Sequence, residues 1–151
     1  MLLRYKDDTI AYIEAGSNDG VAISSWEGFV NKKCYEFYDK IIYRPLSYKR
    51  DYKNQTDLEG FLRKIHGKHY SLNPLRLLHK HSTYDSIENV AAKNGYFCSE
   101  LIGAIFKFLG FLPKNVRSAH YLPGSFSAEE KLILLNGASL GDEYLIDFKD
   151  Q

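Results

Sequence analysis

The chain has 151 residues, which is the size of one ordinary domain. Its 20 basic and 19 acidic residues nearly cancel and form no tail or continuous stripe, which argues against a nucleic-acid partner. The sequence has no apolar run of membrane-spanning length, and its N-terminus is charged too soon for a signal peptide. We therefore expect a single domain over residues 1–151, with no membrane span and a cytoplasmic location.

The first half of the chain predicts strands and one short helix. Residues 1–5 and 9–15 alternate apolar and polar side chains around a short turn, which is typical of a hairpin. We further expect a turn at 16–20, a strand at 21–23, a brief helix at 26–31 capped by Ser24 or Ser25, and a strand at 34–46.

The second half predicts mostly helices. The expected elements are a helix from Thr56 that Gly67 ends, a short helix at 73–79, a polar segment at 79–95, a strong helix from Cys98 to Gly110, a turn at 123–125, a capped helical segment from Ser127, and a last strand at 144–148. The sequence therefore predicts an α+β domain in which helices pack on an antiparallel sheet.

Two cysteines stand in different contexts. Cys98 lies where a polar loop gives way to the strongest helix, and the unpaired N–H groups and partial positive charge of a helix start favour a thiolate. The alternative is an inert buried thiol, which is the commoner state of free cysteine. Cys34 is expected in the core, and the pair forms no CxxC or metal spacing, which favours a reducing compartment.

Four segments together resemble a known family. They are Tyr12-Ile13-Glu14-Ala15, Gly67-Lys68-His69-Tyr70, Tyr96-Phe97-Cys98-Ser99-Glu100-Leu101-Ile102 and Leu122-Pro123-Gly124-Ser125-Phe126-Ser127. Their order resembles the circularly permuted NlpC-type papain-like cysteine peptidase family, the YiiX-like group, over most of the chain. The cysteine segment and the late Pro-Gly turn are the distinctive matches. The resemblance implies a permuted papain-like fold, with an antiparallel sheet or small barrel packed with helices.

The same resemblance implies roles for individual residues. Cys98 matches the nucleophile and Glu14 the carboxylate that orients a histidine, but the histidine itself has no match. If the first turn centres on Asp7 and Asp8, Met1 faces Glu14, and the base is expected about two residues before Met1 by the period-two rule for strands. We therefore expect either an N-terminally incomplete enzyme or a protein that has lost its base, with Met1, Glu14 and the Cys98 helix start converging on one cleft.

The same turn also aligns Leu3 with Tyr12.

Other residues are weaker candidates for the cleft. His120 precedes the Pro-Gly turn that the family places at the cleft rim, so it is the one other histidine considered as a base, against the alternative of an ordinary surface histidine. Tyr12, Tyr70 and Tyr96 could line the cleft or pack in the core. Glu100 is expected to stabilise the first turn of its helix. The histidines form no spaced ligand set, so we expect no metal and no cofactor.

Two functions remain open. The first is a papain-like cysteine hydrolase that acts on an amide, peptide or acyl bond of a small-molecule, peptide or lipid-acyl substrate, weak or inactive as given because the histidine is absent. The second is a non-catalytic binding domain that keeps the cleft for a peptide, amino-acid or lipid ligand. The sequence does not distinguish hydrolysis from acyl transfer.

Overall fold

A computed structural model describes residues 1–16, 19–68 and 98–148 of the chain. The strands in this part are β1 (Leu2–Arg4), β2 (Ile10–Gly16), β3 (Gly20–Ser25), β4 (Ile41–Tyr43), β5 (Leu46–Ser47), β6 (Ser139–Leu140) and β7 (Tyr144–Ile146). The α-helices are α1 (Trp26–Asn31), α2 (Tyr52–Ile65) and α3 (Cys98–Phe108), and 3-10 helices cover Cys34–Phe37, Ser118–His120 and Pro123–Phe126. The predicted α+β class with antiparallel pairing is confirmed.

The hairpin of β1 and β2 is joined by the expected loop of residues 6–8, but this is a three-residue loop and not a two-residue turn centred on Asp7 and Asp8. The Tyr5 N–H donates to the Thr9 carbonyl at 2.9 Å and closes a loop of residues 6–8. Asp8 has a φ of 66°, the left-handed conformation that ends a three-residue hairpin loop. The Asp7 carboxylate accepts from the Thr9 N–H and hydroxyl and holds the loop in this shape.

The loop shifts the hairpin register by one residue. Met1 lies opposite Ile13, with which it exchanges two main-chain hydrogen bonds of 2.9 and 2.8 Å. The expectation that Met1 faces Glu14 is therefore wrong. Tyr12 likewise faces Leu2, one residue earlier than expected. Because side chains alternate along a strand, this shift decides which face of the sheet each residue of β1 shares.

The expected pairing of Leu3 with Tyr12 is wrong for the same reason, since Leu3 lies opposite Ala11.

The strand β2 has a buried face and an open face. Ala11, Ile13 and Ala15 are buried, whereas Tyr12 is half-buried and Glu14 is exposed. The strand β3 pairs antiparallel with β2 along its other edge, so the order of this sheet is β1-β2-β3. The buried face packs on α3, which belongs to the same hydrophobic cluster.

The helix α3 lies at the centre of the core. Leu101 and Ile105 are fully buried among apolar residues of β2, β3 and α2. A Cβ atom at Gly103 would lie 3.1 Å from the Ser118 carbonyl oxygen, so the absence of a side chain lets the 3-10 helix Ser118–His120 pack closely against α3. The strongest predicted helix is thus the element that the rest of the domain surrounds.

A second, aromatic layer covers part of the open face of β2. This aromatic layer consists of Tyr12, Trp26, Phe29, Tyr35, Tyr38 and Phe148. Phe29 of α1 is its centre, with ring centroids 5.0 Å from Trp26 and 5.4 Å from Tyr12. The Ser25 hydroxyl caps α1 by accepting from the Gly28 N–H at 3.1 Å, which confirms the predicted cap.

The strand predicted over 34–46 is wrong in its first half. Residues Cys34–Phe37 form a 3-10 helix, and strand structure begins only at Ile41. Lys33, with a φ of 51°, turns the chain before this helix. The Tyr35 ring stacks on Phe148 at 4.3 Å, so the aromatic residues that resembled strand alternation serve the aromatic layer instead. Cys34 is half-buried rather than in the core.

Two predicted helix starts also differ. The helix α2 begins at Tyr52 and not at Thr56, because Asp51 caps it by accepting from the Asn54 N–H at 2.6 Å. The segment after Ser127 forms a turn and no helix. There the Ala128 N–H donates to the Glu143 carboxylate at 2.7 Å, so its partner lies in the following segment and not in a helical turn.

Two small sheets complete the described part. β4 pairs with β7 and β5 with β6, both antiparallel, and the described strands form no closed barrel. Arg44 lies between β4 and β5, and Gly141 lies between β6 and β7. The Arg44 guanidinium donates to the carbonyls of Gly141 and Phe126 at 2.8 Å each, and so holds the first pair of strands to the second. The permuted papain-like topology therefore stays a proposal.

Some expectations lie outside the described residues. They are the short helix at 73–79 and the polar segment at 79–95. Among the helices of the described ranges, none combines the length and apolar character that crossing a membrane requires.

Candidate functional site

Cys98 is the first residue of α3, and its side chain is exposed. The helix behind it is buried almost all round, so the thiol lies at the surface end of a largely buried element. The N–H groups of the first turn have no intrahelical acceptor and carry partial positive charge. The position can therefore stabilise negative charge on a thiolate or on an oxygen atom that develops beside it.

The amino group of Met1, which precedes β1, interacts with this thiol. The amino group of Met1 donates to the Ile13 carbonyl at 2.9 Å and interacts electrostatically with both Glu14 and Cys98. Burial lowers the pKa of this amino group below its ordinary 8.0, while Glu14 and Cys98 act in the opposite direction. The expected convergence of Met1, Glu14 and the helix start on one cleft stays a prediction.

Glu14 and Cys98 reach this group from different sides of the sheet. The helix α3 packs on the buried face of β2 beside Ile13, whereas Glu14 is exposed on the open face. The small side chain of Ala22 lies opposite Glu14 on β3 and leaves the carboxylate uncovered. Glu14 and α3 therefore lie on opposite faces of the sheet.

Tyr12 connects Glu14 to the aromatic layer. Burial raises the pKa of Tyr12, and the charge of Glu14 adds to this shift, while a hydrogen bond with Ser24 partly opposes it. Cys34 and Tyr38 also interact electrostatically with the phenol. Tyr12, predicted as a residue that lines the cleft, therefore has Glu14 and Cys34 as neighbours.

The histidines of the described ranges do not complete a Cys-His pair. His120 is exposed at the end of the 3-10 helix that packs on α3, and His66 follows α2. Neither of these two makes a hydrogen bond or ion pair with Cys98. The other candidates, Tyr70 and Tyr96, lie outside the described residues, as do the remaining histidines.

Two charged residues of α3 are buried, which the sequence pattern did not predict. Glu100 is 1% exposed and Lys107 is 3% exposed, and each has an interaction partner. Glu100 was expected only to stabilise the first helical turn, but its carboxylate belongs to the interior. The available signal is their spacing of seven residues, which places both on one side of the helix, within an otherwise apolar element.

Among the described residues, no three His, Cys, Asp or Glu side chains are grouped so that they could hold a metal ion. Comparisons with protein-family models, with curated proteins and with solved structures gave no match. The likeness to the permuted NlpC-type family therefore stays a proposal that rests on the residues and on the site geometry.

Proposed function

We propose that the protein is a thiol-dependent acyl-transfer domain of the permuted papain-like type, with Cys98 as nucleophile. The observation that carries the proposal is that the exposed thiol of Cys98 stands at the first residue of α3, the helix that packs on the buried face of β2. The unpaired N–H groups of that helix start favour negative charge on the sulfur and on an oxyanion beside it.

The chemistry follows from these positions. The Cys98 thiol gives its proton to a base at the end of β1, and its sulfur forms a bond to the carbonyl carbon of the substrate. The N–H groups at the start of α3 stabilise the oxyanion. When the C–N or C–O bond breaks, the leaving group takes the proton back from the base. Water or another acceptor then attacks the thioester, which releases the acyl group and restores the thiol.

Glu14 stabilises the protonated base in this scheme. Because it lies on the open face of β2, we propose that it acts through its charge and not by facing the base directly across the hairpin. The substrate class stays broad, and amide, peptide and lipid-acyl bonds are all compatible with one thioester intermediate.

A second candidate is a non-catalytic domain that binds a peptide, amino acid or lipid beside Cys98. It is favoured by one observation, that neither His66 nor His120 contacts the thiol. Removing the base from a catalytic unit removes most of its rate, so such a domain would bind substrate without turning it over.

A trapping experiment distinguishes the two candidates. An activated aryl ester is mixed with the full chain, and intact-mass and peptide analysis locate the acyl group. Acylation of Cys98 followed by its release supports the enzyme, and the Cys34→Ser variant is the matched control because it keeps the proposed nucleophile. Acylation that is equal in Cys98→Ser and the parent chain contradicts the assignment of Cys98.

A second arm tests the place of the base. A histidine is added either one or two residues before Met1. The first position faces Glu14 on the open face, and the second faces Ala15 on the face that packs on α3, by continuation of the observed register. We expect the second variant to show the greater gain in acylation, and no gain in either variant contradicts a base at this end of β1.

A further inference from the structure

Asn136 and Gly137 are the two central residues of a tight turn before β6. Both have a positive φ, 56° and 72°, and the Ala138 N–H donates to the Leu135 carbonyl at 3.1 Å. Two such residues closed by this bond are the features of a type I′ turn, which favours an Asn-Gly pair. Both residues are exposed, whereas Leu134 and Ala138 on either side are buried in the core. Water therefore reaches the tip of a turn whose ends are firmly held.

The same turn packs on the segment that follows α3. The side-chain amide of Asn136 donates to the Gly110 carbonyl at 2.8 Å, and the Leu135 N–H donates to the Phe111 carbonyl at 2.9 Å. Gly110 and Phe111 reverse the chain just after the helix, where the Phe111 N–H donates back to the Phe106 carbonyl at 2.7 Å. The Asn136 amide thus joins the turn to the carboxyl end of the central helix.

An asparagine that precedes glycine is open to deamidation, because glycine has no side chain to hinder the approach of its main-chain nitrogen. The Gly137 nitrogen forms a bond to Cγ of Asn136, and the bond from Cγ to Nδ2 breaks. The Nδ2 group leaves as ammonia with the proton of the Gly137 N–H, so that a succinimide remains. Water then opens this ring to aspartate or isoaspartate. The reaction needs no co-reactant other than water.

The contact with Gly110 opposes this reaction and also depends on the unreacted amide. Ring closure requires Cγ of Asn136 to turn toward the Gly137 nitrogen, whereas the hydrogen bond holds the amide on the Gly110 carbonyl. The carboxylate of the product has no N–H to donate to that carbonyl. It also brings negative charge to the carboxyl end of α3, where the helix dipole disfavours it. The product therefore cannot replace the amide in this contact.

We propose that Asn136-Gly137 is a deamidation site that the contact with Gly110 slows in the folded protein, and whose conversion weakens the attachment of the turn to the end of α3. The inference is independent of the proposed thiol chemistry, since it rests on the turn and on the hydrogen bond from Asn136. A change in one exposed side chain is thereby coupled to the helix at the centre of the core.

The rate of deamidation tests the first half of the proposal. The full chain is incubated in mildly alkaline buffer with and without urea, and peptide mass spectrometry measures aspartate and isoaspartate at Asn136. A synthetic peptide of residues 131–142 in the same two solutions gives the effect of urea on the chemistry alone. We expect deamidation in the folded chain to be about twofold to tenfold slower than in the unfolded chain, the factor expected when one hydrogen bond must first open. An equal or faster rate in the folded chain overturns the proposal, as does an unfolded chain that stays intact at Asn136.

The product variant tests the second half. Asn136→Asp places the carboxylate beside Gly110, and we expect the unfolding equilibrium constant from urea denaturation to rise by about twofold to tenfold, as for one lost hydrogen bond. Asn115→Asp is the matched control, because it makes the same chemical change at another exposed residue and is expected to alter stability little. If the two variants are equally stable, deamidation does not weaken the attachment to α3 and the coupling is wrong.

Discussion

Met1 and Ile13 exchange two main-chain hydrogen bonds, and this pair belongs to the register in which β1 and β2 align. It places the Met1 side chain against the hydrophobic core and leaves Glu14 one residue out of line, on the open face. Glu14 therefore projects from the face of the sheet opposite to α3, the helix that begins at Cys98, and does not face Met1 as expected. The distinction matters because an effect of charge survives small displacements that a directional hydrogen bond does not.

Replacing glycine by alanine is expected to change the free energy of unfolding in opposite directions at Gly103 and Gly60. Only Gly103 lies where α3 packs closely on the 3-10 helix Ser118–His120. Gly103→Ala is expected to lower the free energy of unfolding, since its Cβ would lie 3.1 Å from the Ser118 carbonyl oxygen and 3.2 Å from the Tyr121 ring. The cost of such overpacking is about 1 to 3 kcal/mol, which exceeds the gain of about 1 kcal/mol from replacing a helical glycine.

Gly60→Ala in α2 is the matched control. A Cβ atom there meets nothing within 4 Å, so only the gain in helix propensity remains. Urea denaturation of the two variants measures both effects. If Gly103→Ala is as stable as Gly60→Ala, the packing of α3 described above is wrong.

The contacts of Arg44 predict that its replacement by lysine lowers the free energy of unfolding, although the charge is kept. Arg44→Lys loses the planar group that donates to Gly141 and Phe126, and a lysine cannot reach both carbonyls in the same geometry. The expected loss is about 1 to 3 kcal/mol of the free energy of unfolding. Arg50→Lys, at an exposed residue whose guanidinium lies 5.8 Å from the Tyr48 ring centroid, is the control and should change stability little. Equal effects of the two variants would count against the Arg44 contacts.

The pKa shifts of Tyr12 and Tyr121 predict how the free energy of unfolding changes at alkaline pH. Burial raises the pKa of Tyr12 and of Tyr121 above the ordinary 10.0. A raised pKa in the folded state means that the neutral phenol contributes stability fully below pH about 10, and that this contribution is lost as pH rises through the folded-state value. Stability is therefore expected to fall above pH about 10.

The check is urea denaturation on both sides of this range. Tyr121→Phe and Tyr12→Phe should each lose less stability on the alkaline side than the parent chain, because they have no phenol to ionise. Tyr52→Phe, at a residue that is 75% exposed, serves as the control. A parent chain whose stability does not change across the range would contradict the burial of these phenols.

The sequence allowed the main elements to be predicted where local signals and tertiary packing agree. The helix α3 carries an apolar pattern along its length and ends before Gly110, which has a φ of 76°, so its existence and its end were predictable. The cap at Ser25 followed from the same local rules. The first strands were also predictable, because β2 alternates buried and open residues.

Other features depended on contacts between distant residues. The shape of segment 34–46 is decided by the stacking of Tyr35 on Phe148, which no local pattern reports. The hairpin register is decided by one left-handed residue, Asp8, where Asp is tolerated but not required. Of the candidate site, the position of Cys98 at a helix start was predictable, whereas the side of the sheet on which Glu14 lies was not.

The most direct test of the proposed thiol site is the alkylation rate of Cys98 near neutral pH, compared with that of N-acetylcysteine in the same solution and with that of Cys34 in the same molecule. The free thiol controls for exposure, since Cys98 is exposed and Cys34 is half-buried. The proposal predicts that Cys98 reacts about fivefold to tenfold faster than the free thiol, because an activated nucleophile attacks the reagent more readily. A Cys98 rate equal to or below that of the free thiol would contradict an activated nucleophile at the head of α3.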